Sequence, residues 1–279
     1  MKMKIEITRI VLFFLLFTLL IGCENPSEYE HTPLLVVNGE LVAGHSIDSI
    51  FVTWSTDISN KYNTEEQQVR GADVRINGLQ LREYEYSPGV YYYPDPSYRV
   101  ITGETYYLEI TIGDYRVTSE TRVPESFQMI PANVADGDTV RYVPGTSFFS
   151  EAFFTLTWPG YTDSQIFRIV SLAKEATAEN FIEDDRNEAK IFKGEVEDRL
   201  NPTIWWVGDD YARINWMYFN WTGWHDVIVS AVDSNYYDYR NGVLFGEQSV
   251  GQNFNSTIGG GYGLFYSSAS DTIRIYLVE

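Results

Sequence analysis

The chain has 279 residues, 44% hydrophobic and 16% aromatic, with 21 tyrosines, seven tryptophans and a single cysteine. Its formal charge of −19 excludes nucleic acid as a partner, because phosphate binding needs clustered Lys and Arg, and it also excludes electrostatic adhesion to anionic lipid. One cysteine leaves no disulfide and no zinc–cysteine site, so an apolar core has to supply the stability.

Three basic residues, Lys2, Lys4 and Arg9, precede an apolar stretch over 10–21 that only Thr18 interrupts. Such a stretch has the length of a secretory h-region, and about 12 residues make only about 18 Å of helix against a hydrocarbon core of about 30 Å. Leu20-Ile21-Gly22-Cys23 closes it and reads as a lipobox. Cys23 would take diacylglyceryl, become the first mature residue and carry palmitate-type chains. Two or more acyl chains hold a protein on a bilayer where one does not. An uncleaved anchor and an ordinary secretory signal are the alternatives, but the first is short and the second lacks its small-residue cleavage site. Residues 1–22 contain three of the 20 basic and one of the 39 acidic residues, so the matured chain carries −21.

Residues 23–33 are polar, hold two prolines and read as a lipidated tether. From Leu34 the pattern is short strands between turns. Leu35-Val36-Val37 opens a strand expected to end near Asn38-Gly39, and Ile50, Val52 and Trp54 alternate with Phe51 and Thr53 in the next. Val74 and Ile76 lead to Asn77-Gly78, a hairpin signal. A strand follows Pro88-Gly89, then a break at Pro94-Asp95-Pro96. In 105–112, Tyr107, Glu109 and Thr111 alternate against Tyr106, Leu108 and Ile110, and Gly113-Asp114 turns the chain into a strand ending near Val123. About seven strands in some 90 residues is a β-sandwich signature. This unit, 34–124, resembles immunoglobulin-like modules.

A second unit, 127–279, resembles a fibronectin type III sandwich. The strand before Trp158-Pro159, the strand over 165–172, a core strand over 225–232 and a last one over 271–278 define it. Residues 174–223 interrupt it, charged over 174–193 with room for one short helix, then Trp-rich. Trp205, Trp206, Trp216, Trp221 and Trp224, with Tyr218, make a candidate ligand or partner patch. A strand over 214–222 would carry aromatics on both faces. It is then either buried on both sides or an exposed platform for a glycan or protein, since large aromatics give contact area at little entropic cost.

No catalytic set, metal site or cofactor motif is legible. His31, His45 and His225 have no partners at metal-ligand spacing, and there is no nucleophile elbow or phosphate loop. Asp136 with Asp138, Glu183-Asp184-Asp185 and Asp209-Asp210 lack the EF-hand spacing and read as turns with solvated charge. Gly259-Gly260-Gly261 reads as a tight strand crossing.

Taken together, Cys23 with its acidic tether, Leu35-Val36-Val37-Asn38-Gly39, Gly71-Ala72-Asp73-Val74 and Gly103-Glu104-Thr105-Tyr106-Tyr107-Leu108 form an ordered set. Tyr236-Tyr237-Asp238-Tyr239 and the glycine-rich run from Ile258 to Phe265 complete it. The set resembles a family of Bacteroidota outer-membrane lipoproteins catalogued as a domain of unknown function. The resemblance implies a lipid-anchored protein at the cell surface or periplasmic face, accessory to a TonB-dependent transporter. Glu24 after Cys23 is similar to the acidic export signals of that phylum. Its short O-glycosylation pattern is matched at Asp48-Ser49-Ile50, Asp138-Thr139-Val140 and Asp271-Thr272-Ile273, which would modify Ser49, Thr139 and Thr272.

The expectation is an all-β chain of two tandem β-sandwich domains behind a lipoprotein signal peptide and tether. The expected function is non-enzymatic binding, of a transporter partner or a glycan. A surface adhesin or structural module is the runner-up, and a glycan-active enzyme the third reading.

Overall fold

The computed structural model describes residues 31–57, 59–61, 63–145, 151–177, 179–182, 203–245 and 256–279. The expected signal peptide, Cys23, Glu24, most of the expected tether, the acidic run at 183–185 and the helix expected within 174–193 therefore lie outside the described residues, apart from two short turns at 174–175 and 179–180. Leu34–Ser55 and Tyr62–Glu279 form one compact unit, and Met1–Pro33 with Thr56–Lys61 the other. In the latter, Asp57 closes a turn by accepting the Ser59 N–H at 2.7 Å.

The fold is all-β in sandwiched sheets. Nine strands make one sheet. Eight lie in the order β13 (Thr203–Val207), β12 (Phe167–Ala173), β15 (Gly223–Val232), β16 (Tyr262–Val278), β1 (Leu35–Val42), β2 (Ile50–Trp54), β6 (Ser87–Tyr92) and β5 (Arg82–Tyr84). The ninth, β10 (Thr139–Arg141), pairs with β16. One end of this sheet faces the four strands β4 (Leu79–Gln80), β3 (Asp73–Ile76), β7 (Thr105–Ile112) and β8 (Tyr115–Arg122). The other end faces β14 (Tyr211–Ile214), β11 (Phe154–Thr157) and β9 (Ile130–Ala132). Each end encloses its own core, one around Leu35, Val37, Val52, Val74, Leu108 and Ile110, the other around Phe154, Trp158, Ile169, Phe219, Val227 and Ile275.

The two cores lie in one compact unit and share a strand. The first half of β16 runs parallel to β1, from Val36 opposite Tyr262 to Val42 opposite Ser268. Its second half runs antiparallel to β15, from Val232 opposite Ser268 to Gly223 opposite Leu277. The last strand thus begins at Tyr262, nine residues before the expected start, and Phe265 belongs to the first core while Ile275 belongs to the second. β1 likewise continues past Asn38-Gly39 to Val42. Gly39 lies in the strand opposite Phe265, and the position requires glycine because a Cβ there would press on Ile50 and Phe265.

Burial along β16 records this double duty. Residues 264–269 are all buried, whereas 270–277 alternate until Leu277, apart from the partly buried Asp271. An antiparallel strand with one wet face alternates, and a strand covered on both faces does not. The cover is α2 (Ser234–Phe245), the second helix after the short α1 (Thr64–Gln67). Asn235 of α2 donates from Nδ2 to the carbonyls of Phe265, at 2.8 Å, and Glu120, at 2.6 Å. Beside it, Glu40 of β1 and Arg168 of β12 form a bidentate pair, with Nη2–Oε1 2.6 Å, and the Tyr266 and Ser268 hydroxyls also donate to Glu40. Burial pushes the Glu40 carboxyl up, but Arg168 and the two hydroxyls outweigh it and hold it below its ordinary value.

Candidate functional site

The segment between Ile214 and Thr222 is not a strand. β14 ends at Ile214, Asn215 accepts the Met217 N–H at 3.0 Å through its side chain, and Trp216–Tyr218 form one 3-10 turn. The turn points the aromatics inward. Trp216, Tyr218 and Trp221 are buried, at 8%, 4% and 4% exposure, so they are not available as a surface patch, and Trp216 and Tyr218 pack the second core. Tyr218 stacks at a tilt on Trp205, 5.1 Å between ring centres, and Trp221 meets the edge of Phe181 at 5.5 Å.

Trp205 and Trp206 are neighbours in β13 and therefore point to opposite faces. Trp205 packs against the second core, whereas Trp206 lies on the outer face between Tyr236, stacked at 4.8 Å, and the Arg240 guanidinium at 5.2 Å. Trp224 lies half-buried against Tyr276. The six predicted residues thus do not share a surface. The correction follows from tertiary packing: Trp216 and Tyr218 join Phe154, Trp158 and Phe219 in the second core instead of facing solvent.

The remaining sequence candidates have structural occupations. His225 is buried at 1% exposure, its Nδ1 3.0 Å from the Gly223 carbonyl and its ring edge-on to Phe219; burial holds its pKa below the ordinary value. Gly260 and Gly261 let the chain cross close to the Arg116 and Leu35 carbonyls. Ser49 is half-buried at a positive φ of 57°, while Thr139 and Thr272 are exposed on β10 and β16. The aspartate of each of those three tripeptides is engaged. Asp48 accepts the Tyr84 hydroxyl at 2.6 Å, Asp138 the Ala135 N–H at 2.7 Å and Asp271 the Met129 N–H at 2.7 Å. Asp136 accepts the Arg274 N–H at 2.8 Å. Among the described residues no group of three or more His, Cys, Asp or Glu is placed to hold a metal, and no helix is long and apolar enough to cross a membrane.

An open concavity lies elsewhere, on the outer face of β3, β7 and β8. Asn77 and Gly78 both take positive φ, 49° and 77°, in the two-residue turn joining β3 to β4, the primed geometry that matches strand twist. Asn77 then fixes the turn to β7, its Oδ1 accepting the Tyr107 N–H at 2.8 Å and its N–H donating to the Tyr107 carbonyl at 2.9 Å. In β7, Tyr106, Leu108 and Ile110 face the first core, which leaves Tyr107 and Glu109 outside with Tyr107 58% exposed. Register places Glu120 of β8 directly opposite Tyr107, and Arg75 and Thr118 on either side of Glu109. Residues 257–259 extend this sheet beyond β8, with Ser119 donating to the Thr257 carbonyl at 2.7 Å and Thr118 paired with Gly259. The result is a groove of about 430 Å3 over Tyr107, walled by Asn77, Arg75, Glu109, Thr118 and Glu120.

Charge in the groove is mostly compensated. Arg75 binds Asp73 at 2.9 Å and Arg116 binds Glu109 at 3.2 Å. Among the described residues the Glu120 carboxylate has no ion pair. An aromatic face with carboxylate acceptors and guanidinium donors around it can hold a polar ligand by stacking and hydrogen bonds, without covalent chemistry. The sequence did show Tyr107 and Glu109 on one face of a strand, but one tyrosine among 21 carries no mark of exposure.

The model of a family described as a domain of unknown function (DUF4249) matches residues 24–274. No curated protein matches the chain. Two solved structures of human protocadherin-24 EC1-2, one a second crystal form, align with 88% of this chain and 98% and 99% of theirs. Both show 8% identity and a TM-score of 0.21, which carries no argument.

Proposed function

The chain belongs to the DUF4249 family, and from that premise we propose that it is a non-enzymatic binding protein, held at the outer membrane by lipid on Cys23. Its ligand or partner engages the groove over Tyr107. The observation that carries this reading is the groove itself: a half-exposed aromatic ring opposite a carboxylate that has no ion pair among the described residues, on a strand whose inner face is fully committed to the core. The lipobox and its basic, apolar lead-in support the anchor, and the family resemblance supports an accessory role beside a TonB-dependent transporter.

Two measurements test it. Cys23→Ser in the producing cell is expected to move the protein from the membrane to the soluble fraction; an unchanged distribution contradicts lipid anchoring. A photoreactive amino acid in place of Tyr107 is expected to crosslink to an envelope component in intact cells, whereas the same residue in place of the exposed Tyr86, outside the groove, is not. Equal labelling from both positions contradicts the site.

A further inference from the structure

We infer that the groove over Tyr107 is a carbohydrate site that takes a neutral pyranose; this rests on the binding reading above and names its ligand class. Three observations select that chemistry. First, Tyr107 is 58% exposed although its neighbours Tyr106 and Leu108 are buried, so its ring is a platform open to solvent. The axial C–H face of a pyranose is apolar and matches an aromatic face in size, and stacking there loses little entropy because a Tyr side chain has only two rotatable angles.

Second, the groups around the ring are planar and of both hydrogen-bonding kinds. Glu120 stands directly opposite Tyr107 in the β7–β8 register, a pairing that brings Cβ atoms to about 4.5–5.5 Å on one face. A carboxylate at that position can accept from two vicinal hydroxyls at once, as it accepts two guanidinium N–H groups. On the other flank Arg75 of β3 is a donor only, while Thr118, two residues from Glu120 on β8, both donates and accepts. A sugar ring offers hydroxyls that donate and accept, and it uses both flanks.

Third, the charges discriminate against the alternatives. Glu109 and Glu120 oppose a phosphate or a sulfated ligand, in a chain that already carries −19. Arg75 is already held by Asp73 and Glu109 by Arg116, so a lysine or arginine side chain laid across Tyr107 gains only the exposed Glu120 as a partner, and one exposed ion pair is worth little. A neutral polyhydroxyl ligand meets no repulsion and can use Glu120 as an acceptor.

The test uses the full chain in detergent micelles, titrated with neutral oligosaccharides (maltohexaose, cellohexaose, mannohexaose and xylohexaose) and followed by calorimetry and saturation-transfer NMR. At least one is expected to bind with a Kd between about 10 µM and 1 mM. Tyr107→Ala is expected to weaken that binding at least tenfold with an unchanged melting temperature, Tyr107→Phe less than threefold, and Glu120→Gln about fivefold. No binding by any of the four, or binding that Tyr107→Ala leaves intact, overturns the assignment. A Lys-rich peptide that binds in a Tyr107-dependent way while the sugars do not overturns the ligand class but leaves the binding reading standing. Crosslinking from Tyr107 that fails altogether removes both.

Discussion

Asp233 follows β15 at 6% exposure and joins three elements. Its Oδ1 accepts the Tyr236 N–H at 3.1 Å, which caps α2, and its Oδ2 accepts the Thr121 hydroxyl from β8, itself 2.6 Å from Ser267 Oγ on β16. Burial pushes this carboxyl up to about 6, against the opposing pull of Thr121 and the neighbouring backbone. An unfolded Asp titrates near 3.9, so between about pH 4 and 6 the folded chain holds more protons and stability falls as pH rises. His225 acts in the opposite sense. Its folded pKa is depressed by burial, so its contribution is present above about pH 6.5 and lost as pH falls. The two slopes oppose each other in the wild-type profile and separate in a variant. Asp233→Asn is expected to remove the Asp233 slope, so that from pH 7 to 5 the wild type gains about 1.3 kcal/mol relative to the variant. That is a relative Tm shift of about 2–4 °C in a chain of this size. Parallel Tm-against-pH curves for the two proteins would contradict the buried charge.

Gly263 permits the pairing of β1 with β16 at the level of the element. It sits at φ 114°, and a Cβ there would overlap the Val37 carbonyl across the parallel ladder. Gly263→Ala is expected to cost roughly 3 kcal/mol or more, from the strained φ plus a displaced backbone. Gly44→Ala, also at positive φ but in open space, costs only about 1 kcal/mol; equal denaturation midpoints for the two would refute the close approach. Elements whose burial is local were legible in the sequence. β7 alternates so regularly that its bounds, its inner face and the Asn77-Gly78 turn all follow from spacing. The segment after β14 was not legible, because aromatic density gives bulk but not direction, and one Asn215 cap converts an apparent strand into a turn. The helix α2 was missed altogether. Its Ser-Asn-Tyr-Tyr-Asp-Tyr-Arg sequence has poor helix propensity, and it forms because Asp233 caps it and Tyr236 finds Trp206 and Tyr266 to pack on. Pairing was the other gap. Periodicity tells which face of β1 is buried, but nothing in it points to a partner at 262–268.

At the scale of the molecule, two cores hang on one strand. The first sandwich takes its edge from the front half of β16, the second from the back half, and Glu40–Arg168 and Thr121–Asp233–Ser267 tie the halves on either side of Ser268. Two sandwiches joined only by a linker would melt separately. Here a single calorimetric transition is expected, with matching calorimetric and van't Hoff enthalpies, and two resolved peaks would contradict the shared strand. The parallel ladder between β1 and β16 also bears on the order of events during synthesis. Glu40 bonds to Tyr266 across 226 residues, and a chain made from the N-terminus exposes β1 long before its neighbour exists. Contacts of such separation close slowly, and an unpaired strand edge is exposed until they do. The first sandwich therefore cannot be completed before residues 262–268 emerge, so β1 waits for a partner 226 residues further along.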